Sequence, residues 1–537
     1  MTGKFFGRKQ QLELLTRRVS ALKDGYRQNI AFVGDELTGK SSLLFEFLAN
    51  FCDSRFVTVY LEARPETVES FCRRFIAALL YNFLLPGNQG LKRELDYLLE
   101  KSSGYLPRTV EKARQVLADA GKKKKEHLFT DLLSLTESVY GESGKFCVVI
   151  CDEFHMLERL GIKKMYKEWS QLLMLQKHTL YIIASSAVYK ARVILSRDLS
   201  LLFGNFEVVT LEPFDSVAAC QFLDARLGSA VDQGSKNFIA HFTGGNPFYL
   251  QVLCDGVSAA GQNAGLIQIL ESLLFDTTGI LHQRFSNYLK KYEDMANGQD
   301  YAAILHHVSS GNNKIKDIAH SMRRVKSDIA ARASYLIETD ALRKSGDFLL
   351  VSDRVFGFWL KFVYQEKMNS VTCDSESQKA VFKKRLETMF QEFAVYSGKP
   401  VAQRIAELFR LFSDERVQME RKSLKLSRFR EVKHLEFGSS RLRDGLLCRS
   451  NDCIWVLVMG SEGVTEEDIS EFSRECRKYR NKLQRKILVT TGDLDHNSHL
   501  KAMDEKIITW DLNRVNQLLD LFSKPRIISR KPEKVLT

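Results

Sequence analysis

Apolar residues in roughly the first 210 positions fall into two rhythms. Short runs at 30–33, 56–61, 146–151, 180–184 and 206–211 read as strands, and the continuous apolar run 148–151 as one buried on both faces. Between them, residues 68–84, 91–100 and 128–140 carry apolar positions at helical spacing. Strand–helix alternation implies right-handed crossovers and a parallel α/β sheet. From 215 to about 290 the pattern turns helical, broken by Thr243-Gly244-Gly245-Asn246-Pro247, with Pro247 placed to open a new helix. Residues 299–365 show three short helical patterns (301–308, 314–321, 325–336) and a hairpin near Gly346, the outline of a winged helix. The last third predicts a long helix over 382–412 broken near Gly398 to Pro400, a second helix over 466–483, and strands at 443–447, 454–460, 486–490 and 507–510.

Chemistry concentrates at the first strand end. Gly34-Asp35-Glu36-Leu37-Thr38-Gly39-Lys40-Ser41 is a complete GxxxxGK[ST] loop, and Ser42 continues into a helix-like stretch. Gly34 and Gly39 let consecutive N–H groups cradle phosphates at a helix N-terminus. Lys40 is expected on the β/γ-phosphates and the Ser41 hydroxyl on Mg²⁺. The strand at 146–151 ends in Asp152-Glu153, a Walker B pattern: Asp152 as the Mg²⁺ ligand, Glu153 as the group that polarises the attacking water. His155 has no metal-ligand spacing around it and reads as structural. Ser185-Ser186 would put small hydroxyls at a strand end beside the loop, either as a γ-phosphate sensor or as a plain turn.

Composition narrows the class. The chain has 537 residues, 44% of them apolar, which suits several packed domains. No apolar run approaches the ~18 residues of a membrane span, and the start lacks a signal-peptide core. Ten cysteines form no CxxC pair, so they read as reduced thiols of a cytoplasmic protein rather than a zinc site. A net charge of +13 favours an anionic partner, nucleic acid before membrane. Cations cluster in Lys122 to Lys125, in 421–445 with eight Lys/Arg against three acids, and in 474–486 with seven against Glu475 alone. Each is equally a solvated face. Arg323, Arg324 and Lys326 begin the third short helix, where phosphate contacts are typical.

The order Phe6-Gly7-Arg8, phosphate loop, Asp152-Glu153, Ser185-Ser186, Gly244-Gly245-Asn246-Pro247 and winged helix resembles the archaeal-type ATPases of the AAA+/STAND group. The resemblance implies that Gly7 and Arg8 lie against adenine and that the turn at Pro247 belongs to a lid over the nucleotide. The group usually carries arginine where this chain has Asn205 after Gly204, so the arginine-finger role is vacant or passes to Arg197 or another subunit. The last third resembles the restriction-endonuclease-like domains fused to such ATPases. Asp444 fits that fold's first acid, but the next strand offers Val458 and Gly460 where Glu and Lys are required, so the nuclease triad is broken.

The resulting expectation is an α/β P-loop NTPase core (1–212), a helical lid (213–292), a winged helix (293–368) and an inactive restriction-endonuclease-like domain (369–537). Its activity would be slow Mg²⁺-dependent ATP hydrolysis coupled to DNA binding, with self-association or a protein partner left open. The rival readings are a nucleotide-occupied adaptor and an ATP-dependent nuclease.

Overall fold

A computed structural model describes residues 5–86, 90–122, 127–200, 206–260, 265–366, 375–419, 422–438, 441–492 and 494–529. The backbone divides into two compact units, Met1–Pro213 and Phe214–Thr537.

Five strands form the first unit's sheet: β1 (Asn29–Val33), β2 (Phe56–Glu62), β3 (Phe146–Asp152), β4 (Thr179–Ser185) and β5 (Phe206–Thr210), in the order β2-β3-β4-β1-β5. Every pairing is parallel. The period of two sorts each strand's residues between two cores. Ala31, Val33, Val149 and Ile183 face one cluster, completed by α3 (Val68–Leu84), α5 (Pro107–Ala120), α6 (Leu128–Ser143) and α7 (Met165–Leu175). Ile30, Phe32, Ile150 and Ile182 face the other, closed by α1 (Lys9–Ala21) and α2 (Lys40–Asn50). The central strands β1 and β4 are wholly buried, which is why they read as unbroken apolar runs.

The helical expectations are corrected in the first unit. α1, α5 and α7 are additional helices, and α4 spans Leu95–Ser102 rather than 91–100. α5 is defined by Pro107 at its first turn and by Val110, Ala113, Val116 and Ala120 at helical spacing. The Glu142 carboxylate accepts from the Arg108 and Thr109 amides and so satisfies the start of that helix from outside. After α7 and β4 comes α8 (Val188–Val193), which runs into a π-helical turn at Ile194–Asp198. Asn205 and Lys123 to Lys125 lie outside the described residues.

The second unit opens with helices α9 (Ser216–Leu227), α10 (Gln233–Thr243), α11 (Pro247–Ala260), α12 (Leu266–Leu274) and α13 (Ile280–Glu293). Pro247 occupies the first position of α11. Gly245 adopts φ +80°, and a Cβ there would lie 2.0 Å from the Phe214 carbonyl, so this turn requires glycine. Next come α14 (Gly298–Ser309), α15 (Ile315–Ser321), α16 (Lys326–Glu338), the antiparallel hairpin β6 (Leu342–Ser345) and β7 (Phe348–Val351), and α17 (Arg354–Trp359).

The long helix of the last third breaks where Gly398 and Pro400 predict, into α18 (Ser375–Ser397) and α19 (Val401–Phe409). A two-stranded ribbon follows, β8 (Glu415–Met419) with β9 (Lys422–Leu426). A mixed sheet then forms from β10 (Glu431–Leu435), β11 (Leu442–Arg449), β12 (Ile454–Gly460), β13 (Leu483–Thr490) and β14 (Ile507–Asp511), in chain order. β10 pairs antiparallel with β11 and β11 antiparallel with β12, whereas β12, β13 and β14 run parallel. α20 (Glu466–Cys476) and α21 (His496–Asp504) make the crossovers, and α22 (Leu512–Leu521) closes the domain. α20 stops well short of 483: a 3-10 turn at Arg477–Tyr479 ends it and β13 begins at Leu483.

The tip of the β6–β7 hairpin is docked on β8. The Asp347 amide donates to the Arg416 carbonyl (2.9 Å) while its carboxylate accepts from the Arg416 amide (2.8 Å). The Ser345 hydroxyl donates to the Gln418 carbonyl (3.1 Å) and accepts from the Gln418 amide (3.2 Å). Phe348 joins the apolar core that holds Trp455 and Trp510. The hairpin and the last third are thus fused through one edge.

Candidate nucleotide site

The loop from Gly34 to Ser41 leaves β1 and enters α2. Gly39 sits at φ +89° as the residue before the helix, with no side-chain cap. The first amides of α2 therefore present the donors of an uncapped helix N-terminus, the arrangement that suits phosphate. Gly34 cannot be larger, because a Cβ would meet the Leu211 carbonyl at 2.3 Å. The Thr38 hydroxyl donates to the Asp35 carbonyl (2.9 Å), bracing the turn.

Lys40 is buried, and its ammonium donates to the Gly34 (2.9 Å) and Asp35 (2.7 Å) carbonyls. Burial lowers its pKa, while Glu153 and Asp152 pull it back up. The amine is thus folded over the loop, within electrostatic reach of Asp152 at the end of β3 and of Glu153 just after it. Ser41 is partly buried in the first turn of α2, and Ser42 and Glu36 are exposed. Asp35 and Leu37 are partly buried, Leu37 in a left-handed conformation.

Asp152 ends β3 almost fully buried; Tyr60 from β2 donates to its Oδ2 (3.0 Å) and the Glu153 amide to its Oδ1 (2.9 Å). Glu153 adopts φ +51°, turning its side chain back over the sheet end. Its Oε2 accepts from both the amide (2.9 Å) and the hydroxyl (2.8 Å) of Ser186. Burial raises the Glu153 pKa against the pull of those hydrogen bonds and Lys40. His155, read from sequence as structural, enters this cluster: Nδ1 lies 2.8 Å from the Ser185 hydroxyl and 3.3 Å from Glu153 Oε2. Burial pushes its pKa down to about 4, so the ring is neutral at neutral pH.

Gly7 and Arg8 both adopt left-handed backbone. The Arg8 guanidinium donates to the Thr38 carbonyl (3.3 Å) and to the Glu212 carbonyl, tying the N-terminal segment to the loop. Pro247 belongs to the second unit. Tyr60 and His155 are members of the site that the motifs do not reveal. The pairing of β2 beside β3 points to Tyr60, but that requires the strand order, which no motif states.

The basic C-terminal stretches are less free than their sequence suggests. Arg485 packs over the Trp455 ring, and the Lys486 ammonium donates to the Ser473 hydroxyl (2.8 Å). Arg324 faces Asp300 (3.4 Å), whereas Arg323 and Lys326 are exposed at the mouth of α16. Asp444 is exposed on a β-bulge at φ +49°, while Val458 is fully buried. Among the described residues no group of three or more His, Cys, Asp or Glu could hold a metal ion. No helix among them is long and apolar enough to cross a membrane.

Phosphate loop, buried Asp152 with its partly buried neighbour Glu153, and parallel sheet define the first unit as an α/β P-loop NTPase fold. No protein-family model and no curated protein matches the chain. Solved structures are similar to it in fold. The Walker-type ATPase of Pyrococcus abyssi is 16% identical, with 66% of this chain and 96% of that one covered and a TM-score of 0.48. The ORC2 protein of Aeropyrum pernix, as its ADPNP-ADP complexes, is 12% identical over 68% and 96%, with a TM-score of 0.41. Cdc6p from Pyrobaculum aerophilum is 13% identical over 73% and 97%, with a TM-score of 0.32. At these overlaps the class rests on the chain's own geometry.

Proposed function

We propose that the chain is a Mg²⁺-dependent ATPase of AAA+/STAND type. The observation that carries this reading is the convergence of Lys40, Asp152 and Glu153 on one phosphate loop. The donor set fits Mg²⁺: a buried Asp152 carboxylate whose oxygens each keep acceptor capacity beyond one neutral hydrogen bond, and a Ser41 hydroxyl in the first helical turn. Asp152 and Ser41 would hold Mg²⁺, which would supply charge that offsets the phosphates. Lys40 holds phosphate charge, and Glu153 orients and polarises the water. Gly7 and Arg8 are assigned to the adenine side and Pro247 to the lid. With the arginine-finger role unfilled by Asn205, turnover is slow, since that group is worth roughly 10³-fold or more in related NTPases. The experiment is ATP binding and turnover in two variants. Lys40→Ala abolishes tight binding; Glu153→Gln keeps binding and stops turnover. Unchanged turnover in Glu153→Gln sinks the assignment.

For the second unit we propose a lid (213–292), a winged helix (293–368) and a nuclease-like domain without nuclease activity (369–537). Duplex DNA is the proposed partner, engaged by Arg323, Arg324 and Lys326 and by the exposed cations of the two basic C-terminal stretches, 421–445 and 474–486. The docked β6–β7 hairpin supports a second reading: a protein-binding adaptor, because a wing tip hydrogen-bonded to β8 is not presented to a groove. Binding that falls steeply with salt supports the DNA reading; no retention of duplex in a low-salt gel shift favours the adaptor.

A further inference from the structure

His155 stands where a space-filling histidine has no reason to stand. It is the second residue of the short 3-10 segment Phe154–Leu160 that follows the Asp-Glu pair, and its ring meets Ser185 at the end of β4. The Ser185 hydroxyl accepts from the Ala187 amide (3.2 Å) and donates to the Ala187 carbonyl (3.3 Å), so it is available to Nδ1 as an acceptor. Glu153 Oε2 also only accepts. The tautomer with the proton on Nδ1 satisfies the Ser185 contact, and Glu153 Oε2 lies 3.3 Å from the same nitrogen. Ser185 in turn takes the Gly34 amide on its carbonyl (3.3 Å). One chain of contacts runs from the first residue of the phosphate loop through Ser185 and His155 to the glutamate.

That chain is asymmetric about the carboxylate. Oε2 receives the Ser186 amide, the Ser186 hydroxyl and the His155 contact, whereas none of the described hydrogen bonds goes to Oε1. Holding one oxygen from three sides fixes the plane of the group and aims the other. We propose that His155 is a positioning residue: through Nδ1 it pins Oε2 of Glu153 and links it by Ser185 to Gly34, so that Oε1 is presented to the attacking water. This rests on the reading of Glu153 as the group that polarises that water.

The test is steady-state ATP turnover with kcat and KM, alongside fluorescent-ATP binding, in His155→Ala, His155→Asn, His155→Gln and Glu153→Gln. His155→Ala lowers kcat on the order of ten- to a hundredfold, the order expected when one polar support of a charged carboxylate is removed, with nucleotide affinity unchanged. Asn places an amide nitrogen near the Nδ1 position and restores most of the rate; Gln reaches the Nε2 position instead and does not. Wild-type kcat in His155→Ala overturns the proposal, as does a joint loss of affinity and rate, or equal rescue by Asn and Gln. Circular dichroism of each variant separates misfolding from lost positioning, and His155→Asn carries the test if His155→Ala does not fold. The parent reading fails separately: turnover surviving in Glu153→Gln removes the glutamate's role, whereas a dead Glu153→Gln beside an unaffected His155→Ala removes only the positioning role of His155.

Discussion

Gly346→Ala is the sharpest probe of the second unit, because the docked hairpin decides which surface is left for a partner. Gly346 sits at φ +62°, and a Cβ there would lie 2.1 Å from the Arg416 carbonyl oxygen. The obstacle is backbone, so no rotamer change relieves it. The left-handed conformation costs an alanine about 1–2 kcal/mol. Clearing the clash separates the turn from β8 and breaks the reciprocal Asp347–Arg416 pair, two hydrogen bonds at about 1 kcal/mol each. The docked state should therefore weaken by about 3–4 kcal/mol. Gly463 supplies the control: φ is +77° with nothing within 4 Å of the added Cβ, so Gly463→Ala carries only the conformational cost. Native-state amide exchange reads the difference directly. The Arg416 and Gln418 amides should exchange about 30-fold faster in Gly346→Ala than in Gly463→Ala, the equivalent of about 2 kcal/mol. Equal exchange in the two variants would refute the docked arrangement.

Asp520 accepts from Arg526 (2.6 Å) and Arg354 in the second unit; burial pushes its pKa up, but the two guanidiniums outweigh this and hold it below the usual carboxylate value. Asp520→Asn should cost about 2–3 kcal/mol, less than a fully buried pair. Because the folded pKa is depressed, that stabilisation is present above the unfolded value near ~4 and is lost as pH falls through the folded one; urea midpoints of wild type and variant should converge there, and a constant gap down to acid pH would contradict the pairing. Charge reversal at Arg323 and Lys326 should weaken duplex binding similarly for all sequences and flatten its salt dependence, and a sequence-selective loss in gel shifts would argue for base contacts instead. Incubation with supercoiled DNA and Mg²⁺ or Mn²⁺ should give no cleavage, and nicking that disappears in Asp444→Ala would restore the nuclease reading.

What the sequence reveals about the first unit follows from burial. A strand covered on both faces has no polar period to hide in, so β1, β3 and β4 stand out as apolar runs with ends off by one residue, and the part-exposed edge strands β2 and β5 are legible from their β-branched and aromatic residues. The phosphate loop and Asp152-Glu153 are legible because each motif is contiguous and chemically unusual. Their neighbours are not: Tyr60 reaches Asp152 across a strand pairing, and His155 meets Ser185 across 30 residues. Helix α5 is hidden for another reason. Its apolar stripe is made of small and β-branched residues, and its N-terminus is satisfied by Glu142 from a different helix rather than by a local cap.

The charged stretches show the same limit from the opposite side. A run of cations in sequence says nothing about which are already engaged. In 474–486 the chain passes from α20 through a turn into β13, where neighbouring residues point to opposite, covered faces of the sheet: Arg485 is drawn onto Trp455 and Lys486 onto Ser473, while Arg474, Arg477 and Arg480 stay exposed. The β6–β7 hairpin is the clearest case. Its pattern is plain in the sequence, yet the polar groups that would ordinarily face a partner are paired with β8, because Ser345, Gly346 and Asp347 complement the free edge of an exposed two-stranded ribbon. An unprotected strand edge recruits whatever backbone can reach it, and in this protein the chain supplies its own. A DNA-bound form that keeps this contact has to engage through the mouth of α16 and the exposed cations of the C-terminal strands, and one that uses the hairpin tip has first to give up four hydrogen bonds at β8.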